Sequence, residues 1–448
     1  MGKELTRFVC GECGFESPKW LGKCPGCHSW NTLSEEVVRK NPAIRKPEAQ
    51  ALPLPMISAD ETSRFSSGIA ELDRVLGGGI VPGSLILLGG DPGVGKSTLL
   101  LQAAENISRA GEKVLYLSGE ESLKQIRLRA QRLGLNGDLL YLINEPDVDL
   151  LEHYLVQINP RLLIIDSIQT VYSSEVSSIP GSVAQLRECT ARIASLSKKR
   201  EQAVILIGHV TKDGALAGPK TLEHMVDAVV YFEGDRDLSL RILRGVKNRF
   251  GSTDEIGLME MSGQGLIEVP DPSDVFLSTR GQPSPGTAVA ACFEGSRSFL
   301  IEIQALVSPS GPGYGRRMAA GVDQNRLALI IAVLEKRCGF QLSNHDIYLK
   351  VSGGVFLKDP SVDLGIAAAI LSSYREQIIP AQTVFMGEIS LSGLIRPVHS
   401  IDQRLRETNK MGYSRVVLPR QTKRQYESSG LELLPLESVE KLLDLMEG

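Results

Sequence analysis

The sequence predicts an α/β protein built on mostly parallel sheets, with a small metal-bound module ahead of them. Three observations carry that expectation. Between residues 58 and 270, short apolar segments ("LILLGG", "KVLYLSGE", "RLLIIDS", "AVILIGHV") alternate with amphipathic stretches, the rhythm of a parallel sheet covered by helices. A turn-rich stretch with Pro270, Pro272, Pro283 and Pro285 leads into a second α/β unit that runs to residue 448. Four of the seven cysteines fall in residues 1–33 as two Cys-x-x-Cys pairs.

A chain of 448 residues suits two to four domains, and its 42% hydrophobic and 23% charged residues are those of an ordinary globular protein. The net charge of −4 means that any contact with nucleic acid must come from local patches. No apolar run approaches the ~20 residues of a membrane span. The opening "MGKELTRF" lacks the apolar core of a signal peptide. The expectation is a cytoplasmic protein with no membrane partner.

Cys10, Cys13, Cys24 and Cys27 form "CGEC" and "CPGC", separated by ten residues. Each pair presents two thiolates from one tight turn, and two turns complete a tetrahedral cage suited to Zn²⁺. A disulfide pairing is disfavoured in a reducing compartment. Trp20 and Trp30 share this module, where they either pack against the knuckles or stack on bases. Residues 34–57 carry four prolines and no periodicity, which predicts an extended linker.

The stretch Gly90, Asp91, Pro92, Gly93, Val94, Gly95, Lys96, Ser97, Thr98 is Gly-x-x-x-x-Gly-Lys-Ser placed between an apolar strand and the helical "LLLQAAENISRAG". Its glycines let backbone N–H groups curl around phosphates at a helix N-terminus. Lys96 reaches the β/γ oxygens of ATP, and Ser97 offers a hydroxyl to Mg²⁺. Asp166 closes the strand "RLLIID" and suits the water shell of the same ion. "LSGEES" supplies Glu120 and Glu121, one of which orients the attacking water, with a solvated turn as the competing reading. His209 either senses the γ-phosphate or is an interior histidine. In "RGVKNRFGS" Lys247 and Arg249 are one residue apart, so on a strand they share a face.

The four-cysteine module, the phosphate loop, "KNRFG" (247–251) and the C-terminal unit, in this order, resemble the RecA-like ATPases and among them the bacterial RadA/Sms family, over almost the whole chain. The resemblance implies a zinc module (1–33), a linker (34–57), a RecA-like P-loop ATPase domain (58–270) and a Lon protease-like α/β domain (271–448). It implies a homo-oligomeric ring, a hexamer, with nucleotide between subunits, in which Lys247 and Arg249 act with Lys96 and Glu120 in catalysis by reaching the neighbour's phosphates. It also implies a DNA-stimulated ATPase that acts on single-stranded and branched DNA. Beside the RecA recombinase it would promote branch migration and heteroduplex extension in break repair. Loops 172–182 and 211–224 then hold single-stranded DNA, with Lys212 and Lys220 on phosphates. An ATP-dependent protease and a DNA-independent signalling ATPase are the rival activities.

In the last unit "LKDPSVDLGIAAAI" and "MGEISLSGLIRPVHSIDQRL" are similar to the Lon protease domain. Ser361 falls at the family's nucleophile, and lining up "PVHSIDQRL" puts Asp402 where the lysine base belongs. A carboxylate there is no substitute for the amine, so the expectation is an inactive scaffold. "SPSGPGYGRRMAAGVDQNR" holds Arg316, Arg317 and Arg326 in a glycine-rich setting; Arg316 and Arg317 suit duplex phosphates, or they are solubilising surface residues.

Overall fold

The computed structural model describes residues 5–38, 64–209, 219–234, 239–277, 284–311, 315–420 and 430–444. They belong to two compact units, Met1–Glu268 and Val269–Gly448. Among the described residues no helix is long and apolar enough to cross a membrane.

At the N-terminus, β1 (Leu5–Cys10), β2 (Glu16–Ser17) and β3 (Leu33–Val38) form an antiparallel sheet of order β2-β1-β3. β3 pairs along the whole of β1, from Leu5↔Val38 to Cys10↔Leu33. Residues 34–38 are therefore ladder rather than the expected linker, because β1 offers them a full row of backbone partners. The rest of that linker, 39–57, lies outside the described residues.

The first unit continues with α1 (Ala70–Val75), β4 (Leu85–Gly90), α2 (Lys96–Arg109), β5 (Val114–Ser118), α3 (Leu123–Arg132), β6 (Leu140–Ile143), α4 (Leu151–Ile158), β7 (Leu162–Asp166), α5 (Val183–Arg200), β8 (Ala203–His209), α6 (Pro219–Leu222), β9 (Ala228–Glu233), β10 (Leu240–Asn248), β11 (Ile256–Ser262) and β12 (Gly265–Glu268). Its sheet runs β12-β11-β10-β9-β4-β8-β7-β5-β6. The six strands from β9 to β6 are parallel, and β10 to β12 extend the edge as an antiparallel meander. The parallel strands are apolar throughout because both faces are covered. Ile86, Leu88, Leu162 and Ile164 join a core with α1, α2 and α3 on one face. Leu85, Leu87, Leu163 and Ile165 join a second core with α4 and α5 on the other.

The second unit holds α7 (Pro272–Phe276), β13 (Thr287–Glu294), β14 (Arg297–Pro309), β15 (Arg317–Ala320), α8 (Gln324–Cys338), β16 (His345–Val351), α9 (Asp363–Arg375), β17 (Thr383–Phe385), β18 (Glu388–Ile389), β19 (Ile395–Arg396), α10 (Ile401–Lys410), β20 (Arg415–Pro419) and β21 (Glu432–Leu436). A mixed sheet runs β15-β16-β14-β13-β17-β20-β21, with β18 and β19 paired apart from it. α9, "DLGIAAAILSSYR", is buried along most of its length, and its small residues let it lie close on the sheet.

Candidate active site

β4, β5, β7 and β8 all run in one direction, so their carboxyl ends open together, where α/β sheets bind ligands. Gly90 at the end of β4 stands in register with His209 at the end of β8, and Ser118 on β5 with Asp166 on β7. The chain then turns from β4 into α2 through Gly95, whose φ of 117° favours glycine. A Cβ there would come within 2.7 Å of Met261 Cε. Lys96 begins the 14-residue helix, so the phosphate loop ends at a helix N-terminus as the motif requires.

Lys96 is buried at 4% exposure, and its Nζ donates to the carbonyls of Gly90 (2.7 Å) and Asp91 (3.0 Å). His209 Nδ1 stands 3.2 Å from the same nitrogen. Burial pulls the ammonium down to about 8, against the carboxylates of Asp166, Glu120 and Asp91. On the other side of the imidazole, His209 Nε2 lies 2.9 Å from Glu120 Oε1, which also accepts from Ser167 Oγ at 2.6 Å. The His209 contact, with Ser167 behind it, holds Glu120 at about 2 although desolvation opposes it. Glu121 points elsewhere, paired with Arg129 of α3. The geometry thus separates two adjacent carboxylates that the sequence leaves equivalent.

Asp166 is 5% exposed and accepts a 2.5 Å hydrogen bond from the buried Tyr116 hydroxyl. Burial and the Asp166 charge push that phenol well above its ordinary value, so it stays a donor. Tyr116 and Ser167 carry no motif, and a buried strand tyrosine gives no sequence signal of a site. The donor set fits a magnesium triphosphate: one desolvated ammonium and helix N–H groups for the anion, and Ser97 and Asp166 for the divalent ion. Ser97 and Asp166 would hold Mg²⁺ there, and the ion would supply neutralisation of the charge that develops in phosphoryl transfer.

Lys247 and Arg249 lie at the other end of the sheet. Asn248 pairs with Ala228, which pairs with Ile86 near the start of β4. Arg249 Nη1 donates to Asp227 Oδ1 at 3.1 Å, and Asp227 Oδ2 accepts from the Leu85 N–H at 3.0 Å. Five residues of strand at about 3.3 Å each separate Leu85 from Gly90, roughly 16 Å. Lys247 Nζ donates to the carbonyls of Glu223 (2.6 Å) and Val226 (2.8 Å). Burial and the neighbouring Arg249 lower its pKa. The two cations do not share a strand face as expected, because β10 ends at Asn248 and Arg249 lies beyond it, exposed.

Of the expected DNA contacts, Lys212 lies outside the described residues, and nothing is described of the Lys220 side chain in α6. Loop 172–182 is tied down: Asp149 accepts from Ser173 and Ser174, and the Gln185 amide from α5 reaches the carbonyls of Ser173, Val176 and Ser178. Arg317 is not a loop residue. It opens β15, and its guanidinium is spent on the carbonyls of His345 and Leu342. Arg326 on α8 is spent on Asp363 (2.6 Å) and the carbonyl of Asp359 (2.6 Å). Arg316 remains exposed.

Around Ser361 the structure corrects the expected partner. Asp402 lies exposed in the first turn of α10; the residue of that helix that reaches the serine is Arg404. Arg404 is 2% exposed and donates to Ser361 Oγ (2.7 Å), Ala291 O (2.5 Å) and His399 O (2.9 Å), and it pairs with Asp359 at 2.8 Å. Two residues along a helix turn the side chain by roughly 200°, to the opposite face. A guanidinium is never deprotonated in a protein, so it holds the serine without activating it.

In the ribbon the four Sγ atoms lie within 4.8 Å of one another, with Cys10–Cys27 at 3.6 Å and Cys13–Cys24 at 3.5 Å. A tetrahedral ion with bonds of about 2.3 Å sets such edges at about 3.8 Å, so the cage fits Zn²⁺. Gly26 allows a close approach here: a Cβ would stand 3.1 Å from Cys13 Sγ, so a larger residue would make its neighbours give by a few tenths of an ångström.

Comparison with known proteins agrees with this geometry. An AAA domain family model matches residues 50–215, the rubredoxin metal binding domain matches 8–35, and the subunit ChlI of Mg-chelatase matches 320–422. The chain is 51% identical over 430 residues to the DNA repair protein RadA of Halalkalibacterium halodurans, covering 94% of this chain and 93% of that one. It is 49% identical over 427 residues to that of Bacillus subtilis (94% and 93%) and 48% identical over 449 residues to that of Streptococcus pyogenes serotype M3 (99% of each). The fold is thus a RecA-like P-loop ATPase core with a zinc ribbon and a Lon-like α/β unit, a set of parts that uses ATP, Mg²⁺ and Zn²⁺. With nearly full-length identity of about half, the chain belongs to the RadA family of DNA repair proteins.

Proposed function

We propose that the protein is a DNA-stimulated ATPase that works as a cytoplasmic homo-oligomeric ring, a hexamer, on single-stranded and branched DNA. Beside the RecA recombinase it promotes branch migration and heteroduplex extension in the repair of breaks. One observation carries the ring: the register of β10 on β9, and of β9 on β4, puts Lys247 level with Leu87, roughly 10 Å of strand before its own phosphate loop, and Arg249 is tied through Asp227 to Leu85, roughly 16 Å before it. Cations in that position serve a phosphate only when the phosphate belongs to a neighbouring copy. Such a finger contributes ~10³–10⁵ in rate. Within the pocket, Lys96 binds the phosphates, Ser97 and Asp166 hold Mg²⁺, and Glu120 orients the attacking water. The names of the relatives support the repair role.

The Lon-like unit, residues 271–448, is assigned as a scaffold without peptidase chemistry, supported by Arg404 on Ser361. The test is ATP turnover with no DNA, single strands, duplex and forks, for wild type and Lys247→Ala. Expected are stimulation by DNA, and loss of turnover in the variant with nucleotide binding retained. Full turnover by demonstrably monomeric protein, or by the variant, overturns the reading.

A further inference from the structure

The chain's two tryptophans, Trp20 and Trp30, are 55% and 70% exposed. Large aromatic side chains are usually buried, and a module this small has every reason to bury them. It does not need them: its interior is Cys10, Cys24 and Leu33 with Phe8, Cys13 and Cys27 around them, so the metal cage replaces an apolar core. The indoles are left outside, and they are placed together. A Cβ at Gly22 would stand 3.6 Å from Trp20 Cη2 and 3.8 Å from Trp30 Cζ3, so both rings border the one residue that has no side chain to separate them.

The backbone fixes this arrangement. Lys23 and Trp30 form an antiparallel bridge, and the Asn31 N–H donates to the Gly22 carbonyl at 2.8 Å. The surrounding charge is positive. Lys23 Nζ lies 5.7 Å above the Trp30 ring, and Lys19, exposed, precedes Trp20. Two acids of the module are engaged elsewhere: Glu16 pairs with Arg7 at 2.8 Å, and Glu12 accepts from Ser29.

Exposed indole faces beside lysines match a polyanion that also offers aromatic faces. Stacking of a base on such a ring contributes about 1–3 kcal/mol, and lysines take the phosphates between bases. A duplex presents its base faces only to each other, so the match is to a single strand. We propose that Trp20 and Trp30, flanked by Lys19 and Lys23, form a stacking platform for single-stranded nucleic acid on the zinc ribbon. The platform needs neither nucleotide nor a neighbouring copy, so it stands apart from the ring reading.

Because the chain has no other tryptophan, indole emission of the full-length, zinc-loaded protein reports this surface alone. Titration without ATP uses oligo(dT), oligo(rU) and a hairpin duplex of equal phosphate content. Saturable quenching by oligo(dT) or oligo(rU), and not by the hairpin, is expected, and whichever of the two quenches identifies the strand. Trp20→Ala and Trp30→Ala, each still holding one zinc per chain, should weaken binding of labelled oligonucleotide about 5- to 150-fold. Lys19→Gln with Lys23→Gln should flatten the logarithmic salt dependence by about 1.4. Unchanged emission while anisotropy shows the strand bound, wild-type affinity in both tryptophan variants, or quenching only when a protein partner is added overturns the platform. DNA-stimulated turnover, read on the same preparations after ATP is added, separates the two failures: stimulation without quenching sinks the platform alone, and quenching without stimulation sinks the motor alone.

Discussion

Arg404 Nη1 donates a 2.7 Å hydrogen bond to Ser361 Oγ inside the second unit, and its other nitrogens close on Asp359 and His399. This is a fully satisfied buried ion pair, and its chemistry is cohesive rather than reactive. Removing one partner leaves an uncompensated interior charge, which costs about 3–5 kcal/mol. Arg404→Ala should therefore lower the unfolding free energy by that order in denaturant titration. Ser361→Ala should keep ATP turnover at the wild-type level, and no serine-dependent peptide hydrolysis should appear in either protein.

Tyr116 donates one hydrogen bond to Asp166, the residue proposed above to hold Mg²⁺. Tyr116→Phe keeps the packing and removes only the donor. The expected outcome is a several-fold rise in the Mg²⁺ concentration needed for half-maximal turnover, with nucleotide affinity in the absence of metal unchanged. A purely structural tyrosine would shift the melting temperature and leave the metal requirement alone.

The depressed pKa of Lys96 has a defined sign. The free site loses its proton at about 8, whereas an ammonium against phosphates is held charged. Above pH 8 nucleotide binding should take up a proton, and affinity should fall by up to about tenfold per pH unit. Calorimetry at pH 8.5 in buffers of different ionisation enthalpy reads that uptake directly. Folding stability moves the other way: the unfolded chain holds the extra proton between about 8 and 10.4, so stability rises with pH across that window.

Two crippled variants should rescue each other. Lys96→Ala lacks a working pocket but keeps its cations; Lys247→Ala lacks the cation but keeps its pocket. Mixed in equal amounts, they should recover a measurable fraction of wild-type turnover, where each alone has essentially none. Silence of the mixture at every ratio, with co-assembly shown, would mean that Lys247 serves its own chain.

The phosphate loop was legible because its residues are contiguous and its chemistry depends on backbone. The cysteine cage was legible because each Cys-x-x-Cys pair is local and its residue type names the ligand atom. What the sequence could not show depends on direction in space. Glu120 and Glu121 are neighbours in the chain, and their directions are separated by Arg129 on one side and by His209 and Ser167 on the other. Asp402 and Arg404 both lie near the position expected for a base, and helix phase alone decides which of them faces Ser361. Arg317 reads as a loop cation until β15 pairs with β16 and the chain's own carbonyls claim it.

The paired strands from β10 to β4 join Arg249, anchored through Asp227, to Lys96 at the phosphate loop, with one register shift between Gly245 and Lys247. A ladder of that kind is stiff along its length. In the ring proposed above it would make every protomer a strut with one foot on its own fuel and the other on the adjacent protomer's. Under that proposal, firing at one station would shift the strut that primes the next, and sequential burning around the circle would need no separate messenger.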